Sequence, residues 1–421
     1  MKSIKYVAIL WFVLAGFVWA APLPEASPDT VGISGERLQR LDAAFKKIID
    51  DKELPGVTVM IARKGKLVYQ KSFGFQDREQ ATPMNSDSIF RIYSMTKPIV
   101  SVAAMMLVEE GKLNLAEPIS KYIPEFKELK VGVDAVDGNG NASFTTIPAK
   151  RQITVQDLLR HTSGLTYGAP LNDKTTVQKM YKEAGIGLAP PGTLADFVKT
   201  LATLPLAYEP GSTYEYSYST DVLGRVVEVA SGKSLDEFLR NRILAPLKMN
   251  DTSFVLPSEK LTRLAQPQAN RETGAKLDLL DFTKPTRFFA GGHGLVSTAG
   301  DYLRFCQMLL NGGELEGARV LGPRTVAYMA SNHVGPNIGV GTVWNPGNGY
   351  GFGLGFGVRK EPGLAEWPGS VGDYFWGGYA GTYFWIDPKE QLTVTYMSQE
   401  VNRRNHYRIL LRDLVYQSLI D

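Results

Sequence analysis

The chain has 421 residues, 44% hydrophobic and 21% charged, with a formal net charge of +3. This is globular composition with ample length for a large core, and the scattered Lys and Arg residues argue against nucleic acid as a partner. The lone Cys306 excludes an intrachain disulfide, and the four histidines (His161, His293, His333 and His406) lack H-x-x-x-H spacing, so no metal and no cofactor is expected.

Residues 1–20 read as an export signal. Lys2 and Lys5 form a basic end, and residues 6–19 are apolar. That run is shorter than the roughly 20 residues that span a bilayer. Val18-Trp19-Ala20 offers small residues at the −3 and −1 positions, so cleavage after Ala20 would leave a periplasmic or secreted body with no membrane attachment. An uncleaved anchor is the competing reading.

Ser34 then caps a predicted helix whose stripe of Leu38, Leu41, Phe45 and Ile48 faces a core. Residues 57–62 and 67–73 are β-type runs joined near Lys64-Gly65, a predicted hairpin. Next comes Ser94-Met95-Thr96-Lys97, followed by an apolar run over 98–108 that reads as a central, buried helix ended by Gly111. Positions i and i+3 are neighbours on a helix, so the Ser94 hydroxyl meets the Lys97 amine. A serine attacks a carbonyl only with help, and an adjacent amine can accept its proton. Pro98 lacks an N–H, so the first turn is irregular or begins near Thr96, which holds Ser94 at the helix mouth.

Residues 132–150 are polar and read as a surface excursion. A short helix within 153–165 ends near Gly164, and helical patterns recur over 176–205, 221–230 and 235–247. A helix over 299–310 contains Cys306, expected as a buried structural thiol. β-type runs follow at 351–359, 373–377, 382–386 and 392–397, and a helix over 404–419 closes the chain. The predicted fold class is α/β plus all-α: an antiparallel sheet flanked by N- and C-terminal helices, with a large helical insertion. Residues 21–93 and 299–421 would be halves of one α/β domain, residues 94–298 a mainly helical domain, and the catalytic cleft would lie between them.

Several short motifs occur in order. They are Ser94-Met95-Thr96-Lys97, Leu158-Leu159-Arg160-His161-Thr162-Ser163-Gly164-Leu165, Pro210-Gly211 followed by Tyr216-Ser217, Gly292-His293-Gly294-Leu295-Val296-Ser297-Thr298, and Trp376-Gly377-Gly378. With them the chain resembles the serine β-lactamase-like superfamily over nearly all of its mature length, nearest to class C β-lactamases and family VIII carboxylesterases. The resemblance implies a β-lactamase/transpeptidase-like fold and Ser94 as the nucleophile that forms an acyl-enzyme. It implies Lys97 as proton acceptor and Tyr216 as second base or proton shuttle. Which of the two deprotonates Ser94 stays open, since such a pair titrates as a unit. It also implies an oxyanion hole built from the backbone N–H groups of Ser94 and Tyr379.

Two departures bear on the substrate. Tyr218 stands where the lactamases carry the Asn of Tyr-x-Asn, and Trp376 stands where they carry the Lys of Lys-Thr-Gly. Losing a charged hydrogen bond costs about 1.5–3 kcal/mol, or one to two decades in kcat/KM. The residues expected to face substrate are Trp376, Gly377, Gly378, Tyr218 and His293, whereas His161 is expected to make structural hydrogen bonds. The expected activity is hydrolysis of small, short-chain carboxylic esters. The alternatives are a periplasmic β-lactamase or D-alanyl-D-alanine carboxypeptidase, or an acyltransferase using the same Ser–Lys–Tyr set.

Overall fold

The computed structural model describes residues 22–421 except 137, 141, 169, 170, 271, 272, 276 and 343. The signal predicted over 1–20 lies outside the described residues. No helix among them is long and apolar enough to cross a membrane.

The scaffold is one antiparallel sheet made from both ends of the chain. The N-terminal part supplies β1 (Gly56–Arg63), β2 (Lys66–Asp77) and β3 (Thr82–Pro83). The C-terminal part supplies β4 (Tyr350–Phe352), β5 (Gly357–Arg359), β6 (Tyr374–Gly377), β7 (Tyr383–Asp387) and β8 (Leu392–Ser398). The strand order is β4-β5-β6-β7-β8-β1-β2-β3. The two ends meet where β1 pairs with β8, in the register Val57↔Ser398 to Arg63↔Leu392. The β1–β2 turn passes through Lys64 at φ 52° and Gly65 at φ 73°, the left-handed pair that a tight hairpin requires.

Every residue of β1 is buried, because both sheet faces are covered. Val57, Val59 and Ile61 join Leu41 and Phe45 of α1 (Gly35–Asp50) in one core. Met60 and Ala62 point the other way, into the larger core that contains α2 (Thr96–Glu109). That second core also holds Val222, Leu223 and Val226 of α3 (Ser219–Ser231) and Tyr302, Leu303 and Cys306 of α4 (Ala299–Leu310). Packed on all sides, α2 is buried from Thr96 to Leu107. The chain ends in α5 (Arg404–Tyr416), whose Tyr407, Leu411 and Val415 complete the α1 side of the sheet.

Several elements differ from the sequence pattern. The run over 351–359 is two short strands, because Gly355 turns at φ 109° against α2, where a Cβ would press on the Ser101 side chain. The polar stretch near 132–150 is a β-hairpin, Lys130–Val136 paired with Ala142–Pro148, mostly exposed. The helix over 235–247 is α-helical only at Leu235–Leu239 and continues as a π-turn over Arg240–Leu244. The closing helix stops at Tyr416, short of the predicted 419.

Candidate active site

The approach to Ser94 is pinned on every side. The strand Phe90–Arg91 pairs antiparallel with Val296–Ser297, and the Ile92 N–H donates to the Leu295 carbonyl at 3.1 Å. A 3-10 turn, Tyr93–Met95, then precedes α2. Tyr93 carries φ 43°, a strained conformation for a bulky residue. Its ring packs edge-on to Tyr379, and its hydroxyl accepts the Leu280 N–H at 2.9 Å. The Met95 carbonyl accepts the Tyr302 hydroxyl at 2.8 Å, and Thr96 Oγ1 accepts the Leu295 N–H at 3.1 Å. The strained turn presents Ser94, half-buried, at the head of a rigid helix.

Lys97 lies one turn on and is fully buried. Its Nζ contacts three oxygens: Gly292 O at 2.7 Å, the Tyr167 hydroxyl at 3.1 Å and Ser94 Oγ at 3.4 Å. An ammonium would donate to all three. A neutral amine would donate to two and turn its lone pair to the serine. The same Nζ sits 4.6 Å above the Tyr216 ring centroid, a cation–π contact. The Tyr216 hydroxyl accepts Trp376 Nε1–H at 3.2 Å. Where a Lys-Thr-Gly lysine would bring an ammonium to this phenol, the indole therefore brings a neutral donor.

Tyr167 is a member of the cluster that the sequence did not disclose. Burial first, then Tyr216 and Asp221, push its phenol well above the usual tyrosine range. It therefore keeps its proton and serves as a neutral acceptor for Lys97. It displaces Tyr218 from the expected role. Tyr218 is 1% exposed and lies behind Tyr167, edge-on to that ring at 4.4 Å and to Phe197 at 5.2 Å. The chain turns into α3 at this point, which aims Tyr218 into the helical core and away from the cleft.

The facing wall is the end of β6. Trp376, Gly377, Gly378 and Tyr379 all line a cleft of about 640 Å³ with Tyr93, Ser94, Tyr167 and Tyr216. Gly378 donates its N–H to Thr382 O at 2.8 Å, and a Cβ there would run into the Ile92 carbonyl and Thr382 Oγ1. A Cβ on Gly377 would strike the Arg408 guanidinium. Arg408 itself donates to Gly378 O at 2.7 Å and to Thr382 O at 2.9 Å, tying α5 to this strand end. Close backbone approach thus demands glycine at 378, while a side chain at 377 would have to displace the Arg408 guanidinium. Tyr379, in the turn after β6, lines the same cleft as Ser94.

The two inner histidines differ. His161 is buried, packs 4.7 Å from the Tyr216 ring and shares Nδ1 with Ser217 Oγ at 3.3 Å. Burial and then the Lys97 charge hold it well below the usual imidazole range, so it is neutral. His293 borders the cleft, but it is 3% exposed and its Nε2–H donates to Leu188 O at 2.7 Å. It anchors the Leu188 loop through that nitrogen and keeps its place in the cleft lining. No cluster suited to a metal ion occurs among the described residues.

A family model described as Beta-lactamase matches residues 41–417. Esterase EstB of Burkholderia gladioli is 32% identical over 399 residues, covering 90% of this chain and 94% of the esterase. Monacolin J acid methylbutanoyltransferase of Aspergillus terreus is 28% identical over 316 residues, covering 71% of each chain. Among solved structures, EstCE1, a hydrolase with promiscuous acyltransferase activity, superposes with a TM-score of 0.74 at 28% identity, covering 90% of this chain and 99% of that one.

Proposed function

We propose, from the premise that the chain belongs to the beta-lactamase family, that it hydrolyses short-chain carboxylic esters through an acyl-Ser94 intermediate. The observation that carries this reading is the buried Lys97 amine, 3.4 Å from Ser94 Oγ and stacked on the Tyr216 ring, opposite the end of β6 that carries Trp376. Ser94 Oγ attacks the ester carbonyl and its proton passes to the Lys97–Tyr216 pair. The backbone N–H groups of Ser94 and Tyr379 receive the developing oxyanion. As the C–O bond to the alcohol breaks, the pair returns the proton to the leaving oxygen. A water then repeats the sequence on the acyl-enzyme, releasing the acid and restoring the Ser94 hydroxyl. Trp376 supports an ester over a lactam, because its indole gives apolar contact where a carboxylate-binding ammonium would be needed.

Acyl transfer to an alcohol is a second reading. It is favoured by the transferase relative and by aromatic cleft walls that would shelter an acyl-enzyme from water. The test is a panel of p-nitrophenyl acetate, p-nitrophenyl butyrate, nitrocefin and a D-alanyl-D-alanine peptide, assayed with native and Ser94→Ala protein, with and without an added alcohol. Ester cleavage abolished in Ser94→Ala is expected; a preference for nitrocefin or the peptide would overturn the assignment.

A further inference from the structure

We propose that Asp221 is a positioning residue for the Ser94 reaction, its buried carboxylate acting through Gly292 to hold Lys97 in charge and place. The proposal rests on the acyl-Ser94 reading above. Asp221 is fully buried in the first turn of α3. Its Oδ1 accepts the Gly292 N–H at 2.9 Å, while Lys97 donates to the carbonyl of the same residue at 2.7 Å. Gly292 is thus gripped from both sides by opposite charges. A Cβ there would lie 2.5 Å from Asp221 Oδ2, so only glycine admits this approach.

Asp221 is bonded unlike the buried carboxylates of Asp157 and Asp373. Asp157 collects side-chain donors from Arg151, Arg160, Thr154 and Thr162, and Asp373 from Arg359, Arg412 and Tyr350. Asp221 Oδ2 has no partner, nor has His293 Nδ1, which lies 3.8 Å from Asp221 Oδ1. Burial pushes His293 down despite the pull of Asp221, and its Nε2–H is committed to Leu188, so the imidazole does not neutralise the carboxylate. A carboxylate kept for structure would be saturated with donors. What offsets this anion is its place at a helix N-terminus and the Lys97 charge beyond Gly292. Its influence reaches the cluster, since Asp221 is among the groups that hold the proton on Tyr167.

The titratable groups that face Lys97 are Tyr167, Tyr216, His161 and His293, all uncharged when protonated or held neutral by burial. Glu215 also lines the cleft, but its carboxylate is committed to Thr166 and Thr342. Asp221 therefore supplies the negative side of the proton-transfer cluster. Removing a negative charge lets every neighbouring group release its proton at lower pH, whichever of Lys97 and Tyr216 is the base.

The experiment is the pH profile of kcat/KM on p-nitrophenyl butyrate for native, Asp221→Asn, Asp221→Glu and Ser94→Ala protein, each checked by thermal melting. Asp221→Asn should fold, lose more than tenfold in kcat with KM within threefold, and move both limbs of the profile to lower pH. Asp221→Glu should return the native limbs. A folded Asp221→Asn with a native profile, while Ser94→Ala is inactive, overturns the proposal and leaves the acyl-Ser94 reading standing. Activity that survives Ser94→Ala overturns that reading itself. If Asp221→Asn does not fold, Asp221→Ser carries the same expectation; failure of both uncharged variants to fold assigns Asp221 to structure and overturns the proposal.

Discussion

Gly378→Ala tests the wall opposite Ser94. The new methyl group would meet the Ile92 carbonyl and Thr382 Oγ1. Thr382 Oγ1 is a side-chain atom and can rotate away. The Ile92 carbonyl cannot, because the Ile92 N–H is bonded to Leu295 and its carbonyl also receives the Met95 N–H at 3.0 Å. The strand end must therefore retreat from the turn, and the Tyr379 N–H retreats with it. Removing one donor from an oxyanion hole lowers kcat about 100- to 1000-fold, or about 3–4 kcal/mol. Because that donor strengthens its bond only in the transition state, KM should stay within threefold. Overpacking adds about 1–3 kcal/mol of destabilisation, visible as a lower melting temperature. The assay is steady-state hydrolysis of p-nitrophenyl butyrate with a melting curve alongside. A variant with kcat within threefold of native would refute the placement of the oxyanion donor at Tyr379.

The two tyrosines should separate. Tyr216→Phe removes a proton-transfer group and orphans Trp376 Nε1, so kcat should fall at least about 100-fold, whereas Tyr167→Phe removes one of three acceptors from Lys97 and should cost about tenfold; equal losses would contradict the assignment. Trp376→Lys should raise nitrocefin turnover by about ten- to a hundredfold and lower ester turnover, read as a ratio of kcat/KM values on the two substrates. Asp301 gives a pH signature in stability. Burial pushes its carboxyl up to about 6 in the folded chain, so its favourable contribution is complete below the unfolded value near 3.8 and is lost as pH rises through about 6. Asp301→Asn should therefore flatten the decline in stability across that interval, by up to about 3 kcal/mol at neutral pH, read as a smaller fall in melting temperature. Finally, protein exported by a bacterial host should begin at Ala21 by intact mass, and retention of residues 1–20 in membranes would favour the anchor.

How far the sequence reached depended on distance along the chain. Ser94 and Lys97 were legible because helical spacing alone brings them together, and α2 was legible because apolar residues occupy every side of it. Trp376 and the two glycines were legible as a motif, although only the Ile92 carbonyl and the Arg408 guanidinium reveal what a side chain would meet there. Tyr167 and Gly292 were not legible as partners of Lys97, nor Asp221 as the partner of Gly292, since they lie 70, 195 and 124 positions from Lys97 and are brought towards it only through packing of the helical region on α2. Tyr218 was misplaced because a motif position carries no information about which way the side chain turns as α3 begins. The break between β4 and β5 escaped for a related reason: the approach of Gly355 to Ser101 is a tertiary event that apolar periodicity does not encode.

The central claim is a covalent one, and mass spectrometry of the stopped reaction tests it most directly. Protein quenched in acid during turnover of p-nitrophenyl acetate should gain the mass of one acetyl group, and fragmentation should place it on Ser94. Ser94→Ala should gain nothing, and Tyr216→Phe should gain it more slowly. An acetyl group on another residue in native protein, or turnover with equal labelling of Ser94→Ala, would contradict the account.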